Sequence, residues 1–179
     1  MAEQFLVLMA DLDANAQALM SGWYEKVKAA GFTGKQTPGL PFHISMATFP
    51  LQHESEAIEI TKRAAAAFAP ITVHMSHIGL FQGGKVLYAA PDMNPPALMA
   101  LREAVKPNTP DEHPWTPHCT LLLDEWDTVY KALPIAMDCF RAFVCNVTRL
   151  HLCAFWPTRE ILRLDLTGSG TDMMIKSCD

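Results

Sequence analysis

Two short phrases of the sequence place a histidine, one spacer and a hydroxyl residue at the start of an apolar run. They are His43 with Ser45 and His118 with Thr120. Alternate residues of a strand share one face, about 6.5 to 7 Å apart, so each histidine and its hydroxyl would point the same way. An imidazole with a pKa of about 6.5 can serve as acid or base, and hydroxyls can donate hydrogen bonds to phosphate oxygens. Two such pairs in one cleft would suit the cleavage of a phosphodiester without a metal.

The two phrases belong to an internal repeat. A shift of 75 residues superimposes His43 on His118, and residues 43–90 then match residues 118–165 without a gap. Two other histidines are also followed, after one intervening residue, by a hydroxyl residue. Neither of these two histidines is matched with a histidine by the 75-residue shift. The repeat therefore selects His43 and His118 as the candidate acid and base.

Strands and helices must position these residues. Apolar runs and their breaks predict strands at 5–10, from His43 onward, at 71–81, 85–90, 143–155 and 160–166. They predict helices after the cap Asp13, over about 55–68, after Pro95 and from about Asp127, the last interrupted near Pro134. Strands joined as hairpins indicate antiparallel sheets, so we predict an α+β fold.

Composition limits the classes of partner. The chain has 179 residues, half of them apolar, and a formal net charge of -5. A protein that binds a long nucleic acid draws affinity from many basic contacts, so we expect a small anionic ligand instead. Five scattered cysteines without a C-x-x-C pair are typical of a reducing compartment. With neither a signal-peptide pattern nor an apolar stretch of about 20 residues, the sequence predicts a cytoplasmic protein without a membrane span.

The stretches "HPWTPHCTLLL" and "HIGLFQGGKVLYAA" are similar to motifs of a known protein family. The chain resembles the 2H phosphoesterase superfamily in its LigT-like branch, the group of 2′-5′ RNA ligases and cyclic nucleotide phosphodiesterases. The resemblance implies one domain over 1–179, built from two pseudo-symmetric lobes with antiparallel sheets and a central cleft. It implies catalytic roles for His43 and His118 and phosphate binding by Ser45 and Thr120, with no cofactor.

One departure bears on the substrate. LigT-like proteins often carry an arginine three residues after the second hydroxyl, where this chain has Leu123. The departure disfavours binding of a long RNA and leaves the chemistry of the two histidines unaffected.

Further candidates surround the two phrases. Phe81 and Trp156 are repeat-related and could stack on a base, although core packing would explain them equally well. Lys85 and Arg159 could meet a phosphate or a terminal carboxylate, or remain solvated turn charges. Trp115, in the loop before His118, is a candidate lid that could contact the substrate.

Other histidines and cysteines receive a structural interpretation. We expect His74 and His77 on opposite faces of a strand rather than as metal ligands. Cys119 is expected in the core rather than as a nucleophile. We assign three histidines without partners to surfaces or loops: His53, His113 and His151.

The sequence thus predicts a metal-independent phosphoesterase acting on a 2′,3′-cyclic phosphate or a 2′-5′ linkage of a nucleotide or short RNA. Two alternatives stay open. One is a binding module that grips a nucleotide or RNA end without cleaving it, and the other is a metal-binding protein built on the histidines and cysteines.

Overall fold

The computed structural model describes residues 4–81, 83–92, 95–107 and 114–169, so the prediction for His113 lies outside the described residues. The strands are β1 Phe5–Leu12, β2 His43–Pro50, β3 Ile71–Leu80, β4 Val86–Pro91, β5 Cys119–Leu123, β6 Phe143–Phe155 and β7 Arg159–Asp165. The helices are α1 Ala14–Ala29, α2 Glu54–Ala67, α3 Pro96–Val105 and α4 Trp126–Cys139. In these parts of the chain, no helix combines the length and apolar character needed to cross a membrane.

The strands form an antiparallel sheet in the order β1-β2-β5-β4-β3-β6-β7, and β1 also pairs with β6. Helices flank this sheet, which confirms the predicted α+β class. The expectation of two sheets needs correction, because hydrogen bonds join all seven strands into one network. The long strand β6 makes this connection: residues 143–147 pair with β3, and residues 149–154 pair with both β1 and β7.

Strand pairing crosses between the two repeat units. The hairpin of β3 and β4 lies beside β5, whereas the hairpin of β6 and β7 lies beside β1, which pairs with β2. Neither 43–90 nor 118–165 therefore forms a sheet from its own strands alone. The division into two pseudo-symmetric lobes stays a prediction, and the pairing requires each lobe to combine strands of both units.

Helix α1 begins as predicted, at a capping side chain. The Asp13 carboxylate accepts a hydrogen bond from the Ala16 amide at 3.0 Å, which satisfies one of the free amides at a helix start. Met20, Trp23 and Val27 then recur at helical spacing and are buried, so one face of α1 packs on the sheet.

Helix α4 differs from the prediction, because it continues through Pro134. Proline removes one backbone hydrogen bond of a helix. Here Pro134 is exposed, while Val129, Ala132 and Ala136 are buried on the opposite face. Their packing on both sides of the proline keeps the helix continuous.

The two faces of β1 pack against different hydrophobic clusters. Leu6, Leu8 and Ala10 point into the main core. Met9 points the other way and packs with Cys153 and Phe155 of β6 in a second, smaller cluster. This second face carries the candidate site.

Candidate active site

The two histidine phrases meet where β2 and β5 join. Ile44 pairs with Cys119 across the two strands, and both are fully buried. Side chains alternate along a strand, so their neighbours project from the opposite face. Extending this antiparallel register by one residue sets His43 opposite Thr120 and Ser45 opposite His118, with Cβ atoms about 4.5 to 5.5 Å apart. The structure thus brings together all four residues of the repeated phrase.

Both rings are held in the same way. The Nδ1 atom of His43 lies 2.7 Å from the Pro41 carbonyl oxygen, and that of His118 lies 2.8 Å from the Thr116 carbonyl oxygen. A carbonyl only accepts, so each Nδ1 carries hydrogen and donates it. In the neutral ring, Nε2 then keeps its lone pair. Each histidine is therefore oriented to exchange a proton through Nε2.

Polar side chains tether the segments that lead into the two phrases. The Gln17 amide of α1 donates to the Phe42 carbonyl at 2.7 Å and accepts from the Phe42 amide at 2.8 Å, fixing the residue before His43. The Trp115 indole donates to the Ser45 carbonyl oxygen at 2.9 Å, tying the second loop to the first phrase. Arg102 lies over the Trp115 ring. Trp115 is thus placed as a tether between the phrases.

His43 lies among charged groups. Burial lowers the pKa of His43, and the bond to the Pro41 carbonyl and the nearby Asp11 carboxylate act against that lowering. The charges of His151 and His118 lower the pKa further. The ring therefore responds to its electrostatic neighbours as well as to its burial.

His118 lies among aromatic rings instead. The Phe81 ring meets it edge-on with centroids 4.6 Å apart, and the Tyr88 ring does so at 5.4 Å. Burial lowers the pKa of His118, although its bond to the Thr116 carbonyl opposes the shift. Phe81 is thereby placed against a catalytic candidate.

Sequence reasoning missed Tyr88, which contacts His118. Its signal was Gly79, a glycine within a strand, because such a residue often marks a close approach. A Cβ on Gly79 would come within 2.7 Å of the Tyr88 ring. The absence of a side chain at Gly79 makes room for that ring.

A cavity of about 720 Å³ opens beside the motif residues, with His43, Ser45 and Thr120 in its lining. This volume suits a small ligand. Apolar side chains form one wall: Phe5, Val7, Met9, Leu40, Leu123, Phe155 and Trp156. Polar residues of α1 and the following loop line another part: Ser21, Tyr24, Lys28, Thr33, Gln36 and Thr37. Trp156 therefore lies in the cavity lining, as expected for a candidate substrate-binding residue.

The two turn cations are engaged elsewhere. The Lys85 ammonium lies 3.0 Å from a Glu125 carboxylate oxygen, and the Arg159 guanidinium lies 2.6 Å from a Glu54 oxygen. Neither residue lines the cavity. These contacts fit solvated surface ion pairs, the alternative that the sequence left open for both.

His151 corrects the assignment to a surface or loop. It lies on β6 and is only 1% exposed. Its Nδ1 lies 3.5 Å from Asp11 Oδ2, and its Nε2 lies 3.1 Å from both Glu160 Oε2 and Cys153 Sγ. Burial disfavours its charged form, but the contacts with Asp11 and Cys153 outweigh that effect and raise the pKa of His151 to about 9. The signal missed was Asp11, an acidic residue within an apolar strand.

Cys119 and His74 give no second reactive centre among the residues that the structure describes. Cys119 is fully buried, and burial raises the pKa of its thiol far above the usual range, which disfavours a nucleophilic thiolate. His74 lies 2.8 Å from an Asp92 carboxylate oxygen at the surface. Across the described ranges, no three His, Cys, Asp or Glu side chains are grouped to hold a metal ion.

Comparisons with known proteins bear on the fold and the family of the chain. The structure of E. coli LigT complexed with 3′-AMP is 19% identical to the chain, with a TM-score of 0.64, and the match covers 92% of this chain and 99% of that one. The protein TT0787 of Thermus thermophilus is 17% identical with a TM-score of 0.62, over 92% of this chain and 99% of that one. Further LigT structures contain ATP, NADP+ or phosphate.

At these identities the likeness to solved structures establishes a shared LigT-like fold. No curated protein matches the chain. The sequence model of the 2′-5′ RNA ligase superfamily, however, matches residues 16–155. The chain therefore belongs to the 2′-5′ RNA ligase superfamily, as a LigT-like 2H phosphoesterase.

Proposed function

We propose that the protein is a metal-independent phosphoesterase that cleaves, or reversibly forms, a 2′,3′-cyclic phosphate or a 2′-5′ phosphodiester of a nucleotide or short RNA. One observation carries the proposal. On two joined strands beside one cavity, both histidines donate Nδ1–H to a carbonyl two residues earlier, leaving Nε2 for proton exchange. An acid and a base of the same kind, facing one substrate, are what hydrolysis of a phosphodiester requires.

The steps for a cyclic phosphate follow from this arrangement. His118 Nε2 takes a proton from water as the water oxygen bonds to phosphorus. The bond from phosphorus to one ribose oxygen breaks, and His43 Nε2 gives that oxygen a proton. Ser45 and Thr120 donate hydrogen bonds to the non-bridging oxygens, each worth about 1.5 to 3 kcal/mol because the acceptor is charged. A proton passing back from His118 to His43 restores the enzyme.

The proposed roles follow the different surroundings of the two rings. The Asp11 carboxylate favours the protonated form of His43, which suits a general acid. Burial of His118 favours its neutral form, which suits a general base.

A small nucleotide is the ligand that the cavity supports best. Its volume of about 720 Å³ and its aromatic wall suit a base with a sugar phosphate. LigT, a protein of the same fold, has been solved with 3′-AMP, ATP and NADP+. Leu123 lines the cavity where the family often has an arginine, and the net charge is -5. Both observations favour a short ligand over a long nucleic acid. We also propose that the protein is cytoplasmic.

A substrate panel tests the proposal. Purified protein is incubated with each 2′,3′-cyclic nucleotide and with 2′-5′ and 3′-5′ dinucleotides, and products are separated by chromatography. We expect turnover of a cyclic or 2′-5′ substrate and none of the 3′-5′ controls. Nucleotide binding without any turnover would favour the alternative, a non-catalytic binding module.

Removal of metal tests the mechanism separately. Because the proposed acid, base and phosphate donors are all side chains, EDTA should leave kcat and KM unchanged. Activity lost in EDTA and regained with zinc or manganese would refute this mechanism, since a metal would then supply the Lewis acid or activate the water.

A further inference from the structure

Asp11 and His151 form a buried pair that takes no part in the proposed proton transfers. The pair nevertheless lies beside His43, one of the two proposed catalytic histidines. Asp11 is 5% exposed and pairs across the sheet with His43 on one side and Arg149 on the other. Cross-strand partners have Cβ atoms about 4.5 to 5.5 Å apart. Asp11 is therefore a direct neighbour of His43.

The Asp11 carboxylate is incompletely satisfied. Its Oδ2 faces the His151 ring, but its Oδ1 is buried and has no hydrogen-bond partner among the described residues. An unpaired buried acceptor is unfavourable, because it has given up its hydrogen bonds to water and gained none in the protein. A carboxylate held at such a position calls for an explanation beyond stability.

The charged groups at Asp11 and His151 include equal numbers of anions and cations. His151 contacts two carboxylates, those of Asp11 and Glu160, and Arg163 approaches the same two oxygens, at 3.9 Å and 2.9 Å. Two anions thus face two cations. The groups that surround the pair come from four strands: Asp11 of β1, His43 of β2, Arg149 and Cys153 of β6, and Glu160, Arg163 and Asp165 of β7.

We propose that Asp11, held by His151, is a positioning residue that favours the protonated form of His43, the proposed general acid. The inference rests on the proposed function. Loss of the Asp11 charge would leave the cluster with one excess positive charge next to His43, and a second positive charge on the His43 ring would then be disfavoured. His118, which contacts Phe81 and Tyr88, would not feel the change to the same degree.

Titration of the His43 ring by NMR tests the proposal. The Cε1–H signal of His43 is identified by its disappearance in His43→Ala, and its midpoint is compared between the wild type and Asp11→Asn. We expect Asp11→Asn to move the His43 midpoint to lower pH. An unchanged or higher midpoint would overturn the proposal.

A second variant covers the case in which Asp11→Asn does not fold. The double variant Asp11→Asn with His151→Gln removes both charges of the pair together. Asp11 acts on His43 more strongly than His151 does, and in the opposite direction. The His43 midpoint in the double variant should therefore lie below that of the wild type. A midpoint above the wild-type value would contradict the proposal.

The matched control is Asp92→Asn. Asp92 also pairs with a histidine, His74, but at the surface of β3 and β4. This change should remove the contact with His74 and leave the His43 midpoint unchanged. An equal movement of His43 in both variants would mean that Asp11 acts through general charge alone.

Kinetics distinguish this proposal from the proposed function. In an active enzyme, Asp11→Asn should shift the alkaline limb of kcat/KM to lower pH, lower the rate at neutral pH by at most about tenfold, and leave the acid limb in place. Asp11→Glu should restore the limb. A wild type without turnover on the panel would refute the proposed function, whereas turnover with an unmoved His43 titration would refute only the role of Asp11.

Discussion

The surroundings of His43 and His118 differ although the two rings are held alike. Each ring donates Nδ1–H to a carbonyl oxygen two residues earlier. Around His43, however, the neighbouring strand supplies the Asp11 carboxylate, whereas around His118 the neighbouring hairpin supplies the rings of Phe81 and Tyr88. The repeated phrase fixes geometry, and the strands that pair with it determine the proton affinity.

In the proposed mechanism, this difference assigns separate chemical roles to the two histidines. An acid and a base cannot be the same group in the same state, and unequal surroundings favour one of the two possible assignments of these roles. In this protein β1 and the hairpin of β3 and β4 supply that inequality.

The largest effect is expected from removing either ring. His43→Ala and His118→Ala should each reduce kcat by about 10²- to 10⁴-fold, because each deletes a general acid or base. The two should differ on a p-nitrophenyl phosphodiester, whose leaving group departs without protonation. There His43→Ala should recover much of the wild-type rate, whereas His118→Ala should not.

The control for this pair is His74→Ala. His74 has a hydroxyl residue, Ser76, at the same spacing but has no histidine partner in the repeat. Steady-state rates and thermal unfolding are measured on all three variants. Were folded His74→Ala as inactive as His43→Ala, the repeat would have selected the wrong histidine.

A smaller loss is expected from the hydroxyls. Ser45→Ala and Thr120→Ala each remove one hydrogen bond to a charged phosphate oxygen, worth about 1.5 to 3 kcal/mol, which corresponds to about 10- to 150-fold in kcat/KM. The pH profile should keep its shape, since neither hydroxyl exchanges the catalytic proton. Ser76→Ala serves as the matched control and should leave kcat/KM unchanged.

The pH dependence of kcat/KM should place both limbs at acidic pH. Burial lowers the pKa of His43 and of His118 from the ordinary value of 6.5. Activity is lost at low pH as the base His118 becomes protonated and at higher pH as the acid His43 loses its proton. The maximum should therefore lie below pH 6.5 in the free enzyme, with apparent values that belong to the coupled pair. A maximum above about pH 7.5 would contradict these assignments.

Local pattern was enough to predict the elements and the four motif residues. A period of two sets His43 and Ser45 on one face, and the 75-residue shift does the same for the second phrase. The cap at Asp13 was likewise local. The strand period and the cap depend on residues close together in the sequence, whereas the choice of these two phrases depends on their recurrence 75 residues apart.

The surroundings of the site depend on register between distant strands. Asp11 reaches His43 and His151 only because β1 pairs with both β2 and β6, and no local pattern specifies that register. For the same reason Lys85 and Arg159 could not be assigned, since their carboxylate partners, Glu125 and Glu54, come from other elements.

The smallest effects are expected from two aromatic residues that the repeat relates, Phe81 and Trp156. Phe81 contacts the His118 ring, whereas Trp156 lines the cavity and is 48% exposed. An aromatic contact contributes about 0.5 to 1.5 kcal/mol beyond its buried area, or about 2- to 12-fold. Phe81→Leu should lower kcat by that factor and move the acid limb to higher pH, because a better solvated His118 protonates more readily. Trp156→Leu should raise KM by a similar factor with kcat and both limbs retained, because it removes only substrate contact. The same change in KM from both variants, with the limbs fixed, would show that the two halves use their aromatic residues alike.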